Sequence, residues 1–451
     1  MVKSDVLQAL DQARRQFLKT SGAAALSAAS VSLGAEESPR NPKAPSSDKL
    51  VMAAIGCGGQ GTNLITSFAR QPDVEVACVC DPDSARADAA ARKVEEITGQ
   101  RPEAVADLRR VLDCPRVHAI TIATPDHWHG PATILACQAG KHVYVEKPCS
   151  HNIREGRLML EAARRHNRVV QVGTQSRSAP HVQRAMELLR DGAIGRVLVA
   201  KAWNSQLRRD IGHGLPSEAP GGVDYDLWLG PVPYVPFQAN RFHYGWHWWY
   251  DFGTGDMGND GVHDIDIARW GLGVDAHPAK VAAIGGKRHF DDDQQFPDTQ
   301  YVAFEYPGDG SVGSGRELIF EMRIWSPYKQ EGHENGNAFY GTEGMLVLGK
   351  GTGWQLFGPR NEPRESMKAS GMGEPHHRNF IDCIRSGARP NADIEIGHLS
   401  ATLCHLGNIA CRVGRQLTFD PQAERIVGDD EADRLTARTY RDGHWAAPRE
   451  V

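Results

Sequence analysis

A short apolar run leading into three spaced glycines limits what this chain can fold into. Val51-Met52-Ala53-Ala54-Ile55 reads as a buried strand, Gly56, Gly58 and Gly61 form a G-x-G-x-x-G turn, and Thr62 to Arg70 continues as a helix. Each glycine meets a separate need. Gly56 permits the tight turn, Gly58 lets the backbone approach a pyrophosphate, and Gly61 lets the helix pack on the strand. The helix N-terminus adds unpaired N–H groups and a partial positive charge. Cys57, Gly59 and Gln60 belong to the same turn and are candidate contacts with it. The chain holds 47 glycines in 451 residues, so the turn gains weight only from its context. A second apolar strand, Val74 to Cys80, ends in Asp81, at the spacing of a carboxylate on a ribose 2′-hydroxyl. Such a carboxylate repels a 2′-phosphate and favours NAD. Arg86, a short step on, could accommodate that phosphate and keeps NADP open.

Strands and helices continue to alternate through residue 173. The run Val117 to Ala123 hardly alternates and reads as a strand of a parallel sheet covered on both faces. It ends in Thr124-Pro125-Asp126-His127-Trp128-His129, strand His142 to Val145 ends in Glu146-Lys147-Pro148, and strand Val169 to Gly173 ends in Thr174-Gln175-Ser176-Arg177. Ligands of open α/β sheets sit at the carboxyl ends of the strands. Thr124, Pro125, His127, His129, Glu146, Lys147 and Gln175 therefore join the cofactor candidates, and Arg177 is a candidate for a substrate hydroxyl or carboxylate.

Beyond residue 173 the pattern changes. Arg196 to Trp203, Lys280 to Ile284, Gln300 to Tyr306, Glu317 to Ile324 and Met345 to Leu348 predict an open, mainly antiparallel sheet with one solvated or oligomeric face. Helices over Arg378 to Ser386 and Ile396 to Val413 close its core. The stretch from Ser205 to Gly255 is too long for a plain loop and is expected to cover a site. Its aromatic run Trp246-His247-Trp248-Trp249-Tyr250 suits the C–H faces of sugar rings and suits core packing equally. The fold class is thus α/β. A doubly wound parallel-sheet domain spans 49–173, a second α/β domain for substrate binding and oligomerisation spans 174–420, and a polar tail spans 421–451.

Residues 1–48 read as an export segment. Arg14-Arg15-Gln16-Phe17-Leu18-Lys19 is a twin-arginine pattern, followed by an Ala/Ser-rich apolar stretch and a polar Pro/Ser linker, which predicts Tat-dependent export to the periplasm. No apolar stretch is long enough to anchor the chain in a membrane. The net charge of −5 makes no electrostatic case for nucleic acid. The nine cysteines include no C-x-x-C pair and read as small buried side chains. His127/His129, His243/His247 and His376/His377 complete no metal motif, so no metal is expected.

Gly56/Gly58/Gly61, Asp81, Thr124-Pro125-x-x-x-His129, Glu146-Lys147-Pro148 and Gly261-x-His263-x-x-Asp266 together resemble the Gfo/Idh/MocA oxidoreductases over about residues 49 to 420. The stretches 246–251 and 258–263 are similar to a Tat-exported bacterial subgroup. The resemblance implies a Rossmann domain and NAD(P)-dependent hydride transfer at a carbinol carbon of a sugar, cyclitol or related polyol. It places Lys147 beside nicotinamide and substrate, makes His263 the acid or base on the hydroxyl, and implies a dimer or tetramer paired through the open sheet. Many members carry Asp four residues before that histidine. Here Asn259 stands there, able to orient a hydroxyl but unable to titrate. Asn259, His263 and Asp266 share one face of a helix by their spacing, so Asp266 is expected to orient the imidazole. Trp246, His247 and Tyr250 join His263 and Arg177 as substrate candidates. Scarce NAD outside the cytoplasm favours a tightly held cofactor. Two alternatives stand beside the oxidoreductase. One is a glycosidase working by oxidation, elimination and reduction, with His247 or Tyr250 as its extra base. The other is a non-catalytic sugar-binding relative.

Overall fold

The apolar run at residue 50 becomes the central strand of a parallel sheet. The protein is described by a computed structural model covering residues 49–448; the export signal expected over residues 1–48 lies outside them. The first half runs β1 (Leu50–Ile55), α1 (Gly59–Ala69), β2 (Val74–Cys80), α2 (Ser84–Thr98), β3 (Glu103–Val105), α3 (Leu108–Leu112), β4 (Ala119–Ile122), α4 (Asp126–Gln138), β5 (His142–Val145), α5 (Ile153–Arg165) and β6 (Val170–Val172). All six strands are parallel in the order β3-β2-β1-β4-β5-β6. The order reverses between β1 and β4, and a crevice opens at such a switch point. Ile55, Ile120, Ile122, Val143 and Val145 are buried between the helix layers, each contributing about 1.5–3 kcal/mol by removal from water. Local signals fix the helix ends. The Asp83 carboxylate accepts the Ala85 and Arg86 N–H groups at the start of α2, and Gly99 closes it at φ +73°.

The second half runs α6 (Pro180–Arg190), β7 (Val197–Ser205), α7 (Tyr225–Leu229), α8 (Val262–Leu272), β8 (Lys280–Gly286), β9 (Thr299–Tyr306), β10 (Arg316–Arg323), β11 (Asn335–Gly341), β12 (Met345–Gly349), β13 (Gly353–Phe357), β14 (Pro363–Lys368), α9 (Gly373–Ser386), α10 (Ile394–Val413), β15 (Leu417–Asp420), β16 (Arg425–Ile426) and α11 (Asp430–Asp433). Ten strands form one sheet in the order β14-β13-β12-β11-β7-β10-β9-β8-β15-β16. The sheet is mixed: β7 and β10 pair in parallel, Ala202 opposite Phe320, and the other ladders are antiparallel. In β9, Val302, Phe304 and Tyr306 point into the core while Tyr301, Ala303 and Glu305 are exposed, so α8 and α10 cover one face only.

Two segments of the second half return to the first. Phe380 and Ile381 of α9 pack with Phe68 and Tyr144. The polar tail lies on its own chain: Arg438 Nε and the Tyr440 hydroxyl both donate to Glu155 Oε1 at 2.7 Å, and Trp445 meets Trp128 at 5.9 Å between ring centroids. The described residues include no helix long and apolar enough to cross a membrane.

Candidate active site

A cavity of about 840 Å³ opens at the β1/β4 switch point. Its floor is the glycine turn. A Cβ on Gly56 would lie 2.5 Å from the Ala123 carbonyl oxygen, and one on Gly61 would lie 1.9 Å from the Gly56 oxygen, so both positions are closed to side chains. Gly58 and Gly59 differ. A Cβ there would meet only the Arg86 guanidinium at 3.1 Å, or nothing within 4 Å, leaving the backbone open above the N-terminus of α1, where no side chain caps the helix. Thr124 lines the cavity wall. Open glycines and an uncapped helix end fit a dinucleotide.

At the far end Asp81 accepts the Cys57 N–H at 2.8 Å on Oδ2 and the Asp83 N–H at 2.9 Å on Oδ1. Burial pushes its pKa up, against these two hydrogen bonds and Arg86. Arg86 lines the same end and pairs with Asp83 at 3.7 Å. Glu146 accepts from Gln60 Nε2 at 2.9 Å, and Gln175 Nε2 donates to the Tyr144 hydroxyl at 3.2 Å. His129 faces two carbonyl oxygens, Pro148 O at 2.7 Å and Thr124 O at 3.0 Å. Burial lowers its pKa to about 4, so the neutral ring donates to only one of them and ties the two strand-end loops together.

The chemistry-bearing end gathers Lys147, Asn259, His263 and His247. Lys147 Nζ donates to Asn259 O at 2.6 Å and approaches its Oδ1 at 3.3 Å. The Asn259 amide nitrogen donates to Asp256 Oδ1 at 2.9 Å, and Arg208 pairs with the same oxygen at 3.0 Å. The His263 imidazole has no hydrogen-bond partner among the described residues. Burial lowers its pKa, and Lys350 and Lys147 lower it further against Asp260 and Asp266. Burial alone would raise Asp260, but Lys350 and neighbouring cations hold it below the usual carboxylate range. Lys350 Nζ bridges Asp260 at 3.3 Å and Asp264 at 2.7 Å. His247 donates through Nδ1 to Tyr244 O at 2.6 Å and stacks on Trp246 at 3.6 Å. Burial lowers its pKa to about 3.

Five sequence candidates sit elsewhere. Asp266 does not orient His263: both its oxygens are engaged by Arg177, at 2.7 and 2.9 Å, and one by the Ser400 hydroxyl at 2.6 Å. The turn Met257–Gly261 is a π-helix, which breaks the i, i+4 register assumed for Asn259 and His263. Arg177 is thereby committed to that buried pair and does not line the cavity. His127 is fully buried, with Nε2 on Trp228 O at 2.9 Å. Cys57 contributes its N–H to Asp81 while its thiol is buried. Tyr250 lines a different cavity. Conversely, Asp256, Arg208, Lys350 and Asp126 were not among the candidates. Asp126 lines the main cavity, accepts from the Thr254 hydroxyl at 2.7 Å, and is pushed up to about 7 by burial. Lys350 lies 90 residues from Asp260, and no local motif announces it.

Two family descriptions match this layout. Residues 50–174 match an oxidoreductase family with an NAD-binding Rossmann fold, and residues 204–311 and 360–446 match the C-terminal α/β domain of the same family. The chain belongs to the Gfo/Idh/MocA oxidoreductase family. It is an NAD-dependent dehydrogenase acting on CH–OH groups. Scyllo-inositol 2-dehydrogenase (NAD(+)) of Bacillus subtilis is 27% identical over 363 residues, spanning 75% of this chain and 87% of the relative. Alpha-N-acetylgalactosaminidase of Shewanella oneidensis is 30% identical over 210 residues, 42% of this chain and 45% of the relative. Among solved structures of the fold, the WlbA dehydrogenase from Bordetella pertussis, in complex with NADH and UDP-GlcNAcA, superposes with a TM-score of 0.60 at 20% identity, over 82% of this chain and 99% of that one.

Proposed function

We propose that this Gfo/Idh/MocA member moves a hydride to or from a secondary hydroxyl carbon of a sugar, cyclitol or related polyol, and retains its NAD between turnovers. The observation that carries the reading is the convergence of Lys147, Asn259 and His263 in the cavity that holds the glycine turn. When bound, NAD supplies the hydride acceptor or donor. Gly58, Gly59 and the end of α1 would hold its pyrophosphate, Asp81 its ribose, and Thr124 and Glu146 the nicotinamide end. Asn259 engages at most two of the three N–H groups of Lys147. The remaining one is available to stabilise a developing alkoxide. His263, held neutral, takes the hydroxyl proton in oxidation and returns it in reduction. Asn259 therefore acts as a positioning residue for Lys147.

Retention is supported by a strap. Val223 bridges Asp83, Ser84 N–H donates to Gly222 O at 3.1 Å, and Asp224 N–H donates to Pro82 O at 2.8 Å. The excursion after β7 is thus fastened beside the ribose-binding end, where Trp228, His243 and Trp445 also line the cavity. Denaturing the purified protein and weighing the released nucleotide tests this. Near-stoichiometric NAD supports retention, NADP would reassign the nucleotide, and an empty protein that binds added NAD would refute retention while leaving the dehydrogenase. Polyol-dependent reduction of bound NAD, followed by absorbance, tests the reaction.

The redox-assisted glycosidase is the second reading. It is favoured by His247, a second neutral base in the same cavity, and by the relative named as an α-N-acetylgalactosaminidase. Release of p-nitrophenol from aryl glycosides without net NADH would decide for it. Export is proposed from the twin-arginine segment, and failure of residues 1–48 to export a fused folded reporter would reject it. A homo-oligomer, dimer or tetramer, is proposed from the exposed sheet face carrying Ile284, Tyr301 and Tyr340, with light scattering as the test.

A further inference from the structure

The order of the parallel strands sets the direction in which a dinucleotide lies. Thr124 follows β4, Glu146 and Lys147 follow β5, the glycine turn follows β1, and Asp81 follows β2; all of them line the main cavity. Across the sheet these strands stand in the order β2-β1-β4-β5, with β3 beyond β2. A cofactor with its pyrophosphate on the glycine turn and its ribose at Asp81 carries its base onward, toward the end of β3. Ala106 and Leu108, which follow β3, line that end of the cavity, as does Trp445 of the C-terminal tail.

The tail fastens Trp445 from both sides in the chain. Before it, Arg438 and Tyr440 are tied to Glu155 of α5, the Arg441 N–H donates to the Pro231 carbonyl at 2.7 Å, and the Arg441 guanidinium pairs with Asp226. After it, Ala446 is buried in the core of the parallel-sheet half. The indole between these anchors is placed by two neighbours. The Arg109 guanidinium, from the first turn of α3 just past β3, lies over the ring at 4.7 Å from its centroid, and the Trp128 ring stands 5.9 Å away, tilted by 42°. The contact with Arg109 locates the indole at the β3 end independently of the cavity lining. Trp445 is only half-buried, so a fixed aromatic surface remains in the cavity wall where the base of the cofactor arrives. We propose that Trp445 is the stacking platform for the adenine ring of the dinucleotide, a role that rests on the NAD placement given above. The C-terminal tail is then part of the cofactor site as well as its cover, and the site prefers a purine, whose two fused rings offer more stacking area than a pyrimidine.

Calorimetric titration of the full protein, freed of nucleotide on charcoal, tests this with ADP and CDP. The two probes share ribose and pyrophosphate and differ only in the base. Wild type is expected to bind ADP several-fold more tightly than CDP. Trp445→Leu is expected to weaken ADP by about tenfold or more and CDP by less, so that the preference collapses. A tryptophan that merely pins the tail would move both affinities by the same factor; that result, or an unchanged ADP affinity, would overturn the proposal. Fluorescence titration with NADH reports on the crevice itself. Wild type that binds neither NADH nor ADP would refute the NAD placement and the platform together, whereas NADH binding with an ADP/CDP ratio untouched by Trp445→Leu would reject the platform alone. If Trp445→Leu loses its cooperative melting transition, photolabelling of the wild type with azido-ADP carries the test. A covalent adduct on the tail peptide that holds Trp445 supports the platform, and adducts confined to other peptides would overturn it.

Discussion

On the proposed reading, Lys147 and His263 divide the work of one proton and one developing charge, and each would leave a distinct kinetic trace. Lys147→Met is expected to lower the rate of NADH formation by about 10²–10³-fold without emptying the cofactor site, because none of the glycine-turn contacts involves its ammonium. Stopped-flow absorbance and nucleotide content on the same sample check both halves. His263 acts as base only when neutral. Burial and the nearby Lys350 and Lys147 disfavour its protonated form, so the acid limb of kcat/KM for oxidation should lie below histidine's ordinary pKa of about 6.5. A pH–rate profile with that limb at or above 6.5 would remove His263 from the role. The structure brings these two residues into one cavity; the sequence offered them only through the family resemblance carried by Glu146-Lys147-Pro148 and Gly261-x-His263-x-x-Asp266. Asp266 was legible as a neighbour but misassigned. A π turn cannot be read from one-residue spacing, and Arg177, which claims the carboxylate, lies 89 residues away. The Asp260–Lys350–Asp264 cluster was invisible for the same reason, since a buried charge pair brings together elements with no local sequence relation.

At the scale of elements, the glycine turn makes a sharp contrast between two positions separated by one residue. Gly61→Ala drives a methyl to within 1.9 Å of backbone that cannot move without shifting β1, and should cost at least about 1–3 kcal/mol together with loss of bound nucleotide. Gly59→Ala meets nothing within 4 Å and should leave the melting temperature near wild type. Thermal melting and nucleotide mass on the pair decide it. The parallel strands other than β3 were readable because apolar runs ended in turn chemistry, and β7, β8, β9, β10 and β12 were read from alternation; β3, three residues long and exposed at Glu103 and Ala104, carries no such signal. Others were not. β11 opens on Asn335-Gly336-Asn337, β13 begins at Gly353, and β14 is exposed along its whole length, so neither composition nor alternation marks them. The parallel pairing of β7 with β10 depends on a crossover of more than a hundred residues that no local pattern encodes.

Over the whole molecule, buried neutral histidines set the acid side of stability. Burial lowers His127 and His405 to about 3 and His376 to about 4. Unfolded, each regains a pKa near 6.5. Between those values the unfolded chain binds protons that the folded chain does not, so the histidines' contribution is fully present above pH 6.5 and is lost as the pH is lowered toward 3, while Asp126 and Asp264, each pushed up to about 7 by burial, oppose it between about pH 4 and 7 and are outnumbered. Melting curves at constant ionic strength should show a lower Tm at pH 5 than at pH 7, and a flat profile there would reject this account. The strap and tail carry a further consequence. Among the residues lining the cofactor cavity, Trp445 is the last to leave the ribosome, while the glycine turn is among the first. Trp445 can therefore close over the crevice only after every other lining residue has been made. On the retention reading, a nucleotide already in the crevice is enclosed when the tail docks, and its exchange requires the tail to lift.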